Sequence, residues 1–350
     1  MNFEIEIFRE FGKLEEGWWR LLPAAATNTI FQTPVFQQTW WETLGEGELY
    51  IVTVKIAEEK QRQNHQLVCI APFFIHNRTL KLIGCKAVSD YLDLIANVKF
   101  IDQIYPLVAD KIAELFSQGQ INSVELCSLP EESATLTLLP NLIKHRLPKI
   151  KVLTNEQDVC PVIKLPKTFD QYLALLARKQ RHEVRRKLRK LEAEVEYSVE
   201  TISDPNKISI AVDEFIRLHQ LSSSDKHDFW IDEHRQFFIK LLPKLAEKGW
   251  LKLFFLYLKN WRENSFNLPS TNQPVSAMLV FDYTGTYSLY NSGYDPTYWQ
   301  LSVGQVLTAL TIADAIKQGK HTYDFLRGRE EYKIRLGGKS QPICDLTLTL

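Results

Sequence analysis

The chain has 350 residues, 45% of them hydrophobic and 24% charged, with 42 basic residues set against 42 acidic ones. That length suits two compact units of ordinary size, and that composition suits a globular protein with a good core. A formal net charge of zero excludes recognition of nucleic acid or membrane by a global field, so any such affinity must come from a local patch.

The opening MNFEIEIFREFG alternates and is acidic, unlike a secretory signal. ELYIVTVKIA and HQLVCIAPFFI read as neighbouring strands joined by the polar stretch EEKQRQN. The longest uncharged apolar run, LVCIAPFFI, is nine residues, too short to span a bilayer, and a cytoplasmic protein is expected. TLKLIGC follows as a strand. PLVADKIAELFSQG carries helical spacing through Leu107, Ile112, Leu115 and Phe116 and stops at Gly119. INSVELCSL and DVCPVIKL close this half as strands. Five cysteines (69, 85, 127, 160 and 344) lie far apart without a CxxC pair, which predicts buried free thiols in a reducing compartment, no disulfide frame and no zinc site.

KTFDQYLALLARKQRHEVRRKLRKLEAEVEY then reads as one long helix, with Thr168 and Gln171 at capping-box spacing and an apolar stripe through Leu173, Leu176, Ala177, Val184, Leu188 and Leu191. DPNKISIAVDEFIRLHQLSS and DEHRQFFIKLLPKLAEKG read as two more helices. LKLFFLYL, PVSAMLVFDY and TYSLYNSGY are strands, the first two separated by the polar excursion WRENSFNLPSTNQ. VGQVLTALTIADAIKQGK is a helix ended by Gly319, HTYDFL the next strand and ICDLTLTL the last. The plan is mixed α/β, with domains expected at 1–165 and 166–350.

Three segments could carry chemistry. The loop NSGYDPTYWQLSVGQVL leaves a strand, turns at Gly293 and Asp295–Pro296, and enters a helix with Ser302 as the expected N-cap. Gly304 permits close approach to a helix start whose free N–H groups suit a pyrophosphate, although a plain capped helix leaves the same pattern. Between Arg178 and Lys190 stand eight Lys/Arg and one Glu, a net of +7. This run is either a solvated face or a platform for a phosphate-rich ligand, with Arg181, Arg185, Arg186 and Arg189 as the expected anion contacts. It contains no aromatic residue, which argues against base stacking.

The third segment, YDFLRGREEYKIRLGG, places Asp324 inside an apolar strand, where a carboxylate must be paired or face a cleft, and Arg327 is its nearest candidate partner. Tyr332 could serve as a general acid or Glu331 as a base. SSSDKHDFWIDEH reads as a substrate-facing loop or a simple helix link. GxSxG, HExxH, Walker and GxGxxG motifs are all missing, the eight histidines are scattered, and no metal is expected.

Together these residues resemble the CelD-like acetyltransferases, a family associated with cellulose and exopolysaccharide biosynthesis within the GNAT acyl-CoA superfamily. The likeness rests on the sGYDp turn at Ser292–Pro296, the SpG helix start at Ser302–Gly304, the DFLrG run at Asp324–Gly328 and the YK pair at Tyr332–Lys333. Val303 stands where proline is frequent, and Leu336 near the place of a tryptophan. FQTPVFQQTWWETLG, IAPFFI, IGCKAVSDYLD and RKQRHEVRRKLRKLE extend the resemblance upstream over nearly the whole chain.

The resemblance implies two GNAT-like lobes, an architecture shared with the FemABX transferases. It implies an acyl-CoA wedged between TYSLYNSGY and HTYDFL, with its pyrophosphate on the backbone of Leu301, Ser302, Val303, Gly304 and Gln305. Asp324 and Tyr332 become the catalytic candidates, and Tyr294, Asp295, Arg327 and Lys333 the substrate contacts. The expected reaction is direct attack of an amine or hydroxyl, on a sugar or polysaccharide precursor, upon the thioester. One rival is a FemABX-like aminoacyl transferase using charged tRNA; another is a non-catalytic accessory protein of exopolysaccharide assembly.

Overall fold

A computed structural model describes residues 2–57, 66–85, 88–261 and 272–350. EEKQRQN, and most of WRENSFNLPSTNQ, lie outside the described residues. The chain divides into two compact units, one of Met1–Asp158 with Gln341–Leu350, the other of Val159–Ser340. The division therefore falls a few residues before the expected boundary, and the last ten residues join the first unit.

In chain order the first part comprises β1 (Asn2–Phe8), α1 (Glu15–Leu21), α2 (Pro34–Leu44), β2 (Glu48–Ala57), β3 (Gln66–His76), β4 (Thr79–Leu82), β5 (Ile95–Ala96), α3 (Ile101–Ser117), β6 (Ser123–Pro130), α4 (Ala134–Thr137), α5 (Leu139–Arg146) and β7 (Lys151–Lys164). β1, β2 and β3 pair antiparallel, β3 turns into β4, and β4 meets β6 in parallel through Thr79↔Ser123 to Lys81↔Glu125. Central strand β3 is buried from Cys69 to Phe74, as its unbroken apolar run requires. α2 starts where the Thr33 hydroxyl accepts the Phe36 N–H, with Pro34 in its first turn. Asp93 is buried, but Thr27, Ser133, Thr135 and the Leu94 N–H all donate to it. Asp90 and Tyr91 are buried too.

One expectation about the cysteines changes. Cys85 and Cys127 form a disulfide, while Cys69, Cys160 and Cys344 remain free and buried. The two bonded residues are 42 positions apart, so spacing gave no sign of their pairing.

The second unit continues with α6 (Phe169–Leu175), α7 (Arg178–Glu194), β8 (Val195–Ile202), α8 (Pro205–Ser222), α9 (Ser224–Asp228), α10 (Asp232–Glu247), β9 (Leu251–Trp261), β10 (Ser276–Tyr283), β11 (Thr286–Tyr294), α11 (Val303–Lys317), β12 (Thr322–Asp324) and α12 (Glu331–Arg335). Its sheet has the order β7-β12-β11-β10-β9-β8. α11 supplies Val303, Val306, Leu307, Ile312 and Ala315 to a core that also holds Tyr287, Leu289, Tyr323 and Phe325.

The single long helix expected from 167 is two helices. Leu176 and Ala177 are extended, with ψ of 147° and 146°. Tyr172 Oη bonds the Leu336 carbonyl at 2.9 Å and Leu176 is itself buried, so α6 is held by its own contacts while α7 takes another course. No glycine or proline marks the break.

The chain ends in β13 (Lys339–Thr349), which returns to the first unit and pairs antiparallel with β6 from Ile343↔Pro130 to Thr349↔Ser123. Among the described residues, no helix is long and apolar enough to cross a membrane.

Candidate active site

The site is built around β11, and a bulge sets its geometry. Against β10, Leu289 faces Val280 but Asn291 faces Leu279, leaving Tyr290 as the extra residue. Before the bulge, Tyr287 and Leu289 join the α11 core, and the Tyr287 hydroxyl donates to Asp314 Oδ2 at 3.0 Å. The additional residue resets the alternation. Asn291 then reaches His219 on α8, Gly293 lies against the α8 backbone, and Ser292 and Tyr294 face α11 and α12.

Beside β11 the sheet opens. β12 pairs with it for three positions only, Thr286↔Thr322 to Ser288↔Asp324, while also pairing with β7. Beyond Asp324 the chain stays with β7: Phe325 N–H donates to Pro161 O, and Gly328 N–H to Val159 O. Asp324 Oδ1 accepts the Leu326 N–H at 2.7 Å and so fixes a turn in which Leu326 has φ of 53°. This turn is why the strand stops at Asp324 rather than at Leu326 as expected. From Leu289 to Tyr294, β11 has no strand partner on that side among the described residues.

The opening leads to the start of α11. Asp295 caps a 3-10 turn over Pro296–Leu301 by accepting the Thr297 N–H at 2.9 Å, which commits this predicted substrate contact to the loop. Leu301 and Val303 are buried, so only their backbone could meet a ligand. Ser302 occupies the N-cap position but is left-handed, with φ of 53°, and its hydroxyl makes no cap bond; the expected cap is corrected accordingly. Helix geometry leaves the N–H groups of Val303, Gly304 and Gln305 without an intrahelical acceptor.

Two cavities flank this helix start. One, of about 290 Å³, is lined by Lys226, Ser292, Tyr294, Gly304, Gln305 and Tyr332 among others. The other, of about 280 Å³, has Lys179, Lys187 and Arg335 at an aliphatic floor that includes Val184 and Val306. Gln305 and Tyr332 line both.

The basic helix reaches the site through residues that sequence reasoning did not select. Lys187 Nζ donates to Gln305 Oε1, and Lys190 Nζ to Gln300 O at 3.0 Å. Arg186 is instead engaged by Glu183 on its own helix through two bonds of 3.0 and 2.9 Å; Arg185 lies 3.7 Å from Asp170; Arg189 Nε donates to Arg185 O. Arg181 and Arg185 line a separate hollow with Arg178, Lys179 and His182. The available signal was position: Lys187 and Lys190 flank the Leu188–Leu191 stripe, and such lysines meet whatever the stripe packs on.

Tyr332 is half-buried, sits edge-on to Phe325 and is hydrogen-bonded to the Ser292 side chain. Burial, helped by Glu330, raises its pKa and keeps the phenol protonated. Lys333 is 3% exposed, and its three donors meet Leu326 O (3.3 Å), Arg327 O (2.7 Å) and the Glu330 carboxylate (3.0 Å). It braces the turn after β12, which uses up the donors expected to meet substrate. Arg327 is half-buried beside this turn, and Glu331 pairs with Arg335 at 2.5 Å.

The stretch SSSDKHDFWIDEH contributes Lys226 and Trp230. Trp230 Nε1–H donates to His219 Nδ1 at 2.9 Å, which places the ring proton on Nε2, facing Asn291 Oδ1 at 3.1 Å. Burial first, and Lys226 next, push the His219 pKa down to about 3, so the imidazole is neutral. Among the described residues no group of three or more His, Cys, Asp or Glu is placed to hold a metal ion.

Residues 178–334 match the family described as the acetyltransferase (GNAT) domain. No curated protein matches the chain. Among solved structures, FemX is similar over 100% of this chain and 98% of its own, at 11% identity and a TM-score of 0.64. A conserved protein of unknown function from Bacteroides thetaiotaomicron is similar over 99% and 100%, at 9% identity and a TM-score of 0.56. The C-terminal domain ascribed to a lysylphosphatidylglycerol synthetase of Agrobacterium fabrum is similar over 97% and 92%, at 8% identity and a TM-score of 0.52. The protein thus has a GNAT-like mixed α/β fold, with the sequence features of a GNAT acetyltransferase domain in its second unit.

Proposed function

We propose that the protein is an acyl-CoA-dependent acyltransferase of the CelD-like kind, acting in the cytoplasm on an amine or hydroxyl of a sugar, a polysaccharide precursor or a related metabolite. The observation that carries this reading is the parting of β11 from β12 after Ser288 and Asp324, beside a helix start with three available N–H groups. The diphosphate of the donor would sit there: Gly304 puts no side chain between the helix start and the Tyr294 ring, and Lys187, bonded to Gln305, stands beside it. The thioester lies toward Ser292 and Tyr332. The acceptor attacks its carbonyl, backbone N–H groups along the open edge of β11 stabilise the oxyanion, and the Tyr332 hydroxyl protonates the departing thiolate. Asp324 holds the wedge open through the Leu326 turn.

A second reading is an aminoacyl transfer of the FemABX kind from charged tRNA. It draws on the full-length likeness to FemX and on the basic hollow at Arg178–Arg185.

Thermal shift separates these. At a hundred times its Kd, a ligand of the native state adds about 2.7 kcal/mol. Acetyl-CoA is expected to raise Tm, and thiol release from it to fall about 100-fold in Tyr332→Phe. A salt-sensitive response to bulk tRNA alone would favour the second reading. Silence toward both would leave an accessory protein and sink the proposal.

A further inference from the structure

Two ionisable side chains from different elements close on one residue of the open strand. Tyr332, on α12, bonds the Ser292 side chain; Lys226, on α9, donates from Nζ to the Ser292 carbonyl at 2.5 Å. Both line the same cavity of about 290 Å³. α9 is only five residues long, held by Ser223, whose hydroxyl accepts the Lys226 N–H. The placement of Lys226 therefore follows from the α8–α10 connection and not from a long helix.

We propose that Lys226 is the base of the transfer, taking the proton of the acceptor while Tyr332 supplies one to the leaving sulfur; this rests on the acyltransferase reading above. The acceptor N–H or O–H gives its proton to Nζ as its heavy atom bonds the thioester carbon. The C–S bond breaks with its electron pair on sulfur, and the Tyr332 O–H protonates that sulfur. The ammonium and phenolate then exchange protons with water through the cavity mouth, leaving free CoA thiol and acylated acceptor. A neutral amine can still donate one N–H to Ser292 O and keep its lone pair for the acceptor.

The surroundings favour that neutral form. Among the described residues no carboxylate is ion-paired with Lys226, and its Nζ meets the Ser292 carbonyl. Burial lowers its pKa and Lys333 adds to the effect, while Glu330 opposes it. His219, from α8, is neutral; β11 contributes Asn291, Ser292 and the phenol of Tyr294; and on α9 itself Asp225, His227 and Asp228 are exposed. Tyr332 is shifted the other way, and two groups at one site pushed apart in pKa are the arrangement that general acid–base transfer uses.

Reductive ¹³C-methylation with NMR titration tests Lys226 without any assay of activity. The resonance absent from Lys226→Arg should titrate below the surface lysines; titration together with them would overturn the proposal. For turnover, thiol release from acetyl-CoA is measured with glucosamine as the acceptor probe. Lys226→Arg keeps a donor to Ser292 O but holds its proton permanently, so acetyl-CoA affinity should hold while kcat falls about 100-fold or more. Lys226→Ala should regain part of its rate with added small amines. A Lys226→Arg enzyme within threefold of wild type refutes the role. If the wild-type chain neither binds acetyl-CoA nor releases thiol, the acyltransferase reading fails, and the titration still decides whether Lys226 is a poised amine.

Discussion

Replacing Gly293 by alanine puts a methyl group where the α8 backbone already is. A Cβ there would lie 2.3 Å from His219 N and 2.5 Å from both His219 Cα and Leu218 C, against the 3.4 Å at which ordinary contact begins. Either β11 or α8 must therefore move by about 1 Å. Neither is free to: Ser276 Oγ holds Gly293 O at 3.1 Å, and Trp230 and Asn291 hold the His219 ring from opposite sides. Overpacking costs about 1–3 kcal/mol. Because the clash is with backbone, the upper end applies, and in a unit of this size about 3 kcal/mol lowers Tm by roughly 6–12 °C. The same displacement draws α9 off Ser292, so thiol release should fall as well. Calorimetry on Gly293→Ala reads the first, with Gly304→Ala as a control for packing alone, and a thiol-release assay on Gly293→Ala reads the second. At Gly304 the new methyl meets only the Tyr294 ring, at 3.3 Å, and alanine favours a helix by up to about 1 kcal/mol. A Gly293→Ala midpoint within 1 °C of wild type would refute the packing argument.

The neutral His219 makes stability depend on pH. Its folded pKa of about 3 lies below the unfolded value near 6.5, so the unfolded chain binds a proton that the native one does not. Stability is fully present above the unfolded pKa and drops by about 1.4 kcal/mol per unit as pH falls from 6.5 toward 3. Urea midpoints of wild type and His219→Gln should converge between pH 7 and pH 4.5; a constant gap contradicts this. Lys333→Met should cost about 2–4 kcal/mol in urea, since it takes the Lys333 ammonium from the buried Leu326 carbonyl, the part-buried Arg327 carbonyl and the Glu330 carboxylate. A loss under 1 kcal/mol would return Lys333 to the list of substrate contacts.

Elements with strong periodicity were legible in the sequence. The spans of β11, α8 and α10 follow from alternation or helical spacing with clear stops, and Thr168 caps as its side chain suggests, accepting the Gln171 N–H at 3.2 Å. Features decided by contacts between distant segments were not. The break at Leu176–Ala177 preserves the apolar stripe and so leaves no trace in it. The bulge at Tyr290 is set by register with β10, and it decides which of Ser292 and Gly293 faces α12. Asp324 was legible as a residue needing a partner, though Leu326 N–H as one acceptor-bound group was not. Charge counting selected the arginines of α7 because it is blind to rotation about the helix axis, which delivers Lys187 and Lys190 to α11.

The return of β13 has a consequence for how the protein is made. Ribosomes release the N-terminal unit with the outer edge of β6 still bare, because the segment that covers it follows Ser340. At about 5–20 residues per second, translation leaves that edge waiting for something like ten to forty seconds. During this interval the earlier half is an unfinished sheet, open to pairing with the wrong strand. Clipping the final ten residues should therefore injure the half of the molecule synthesised first.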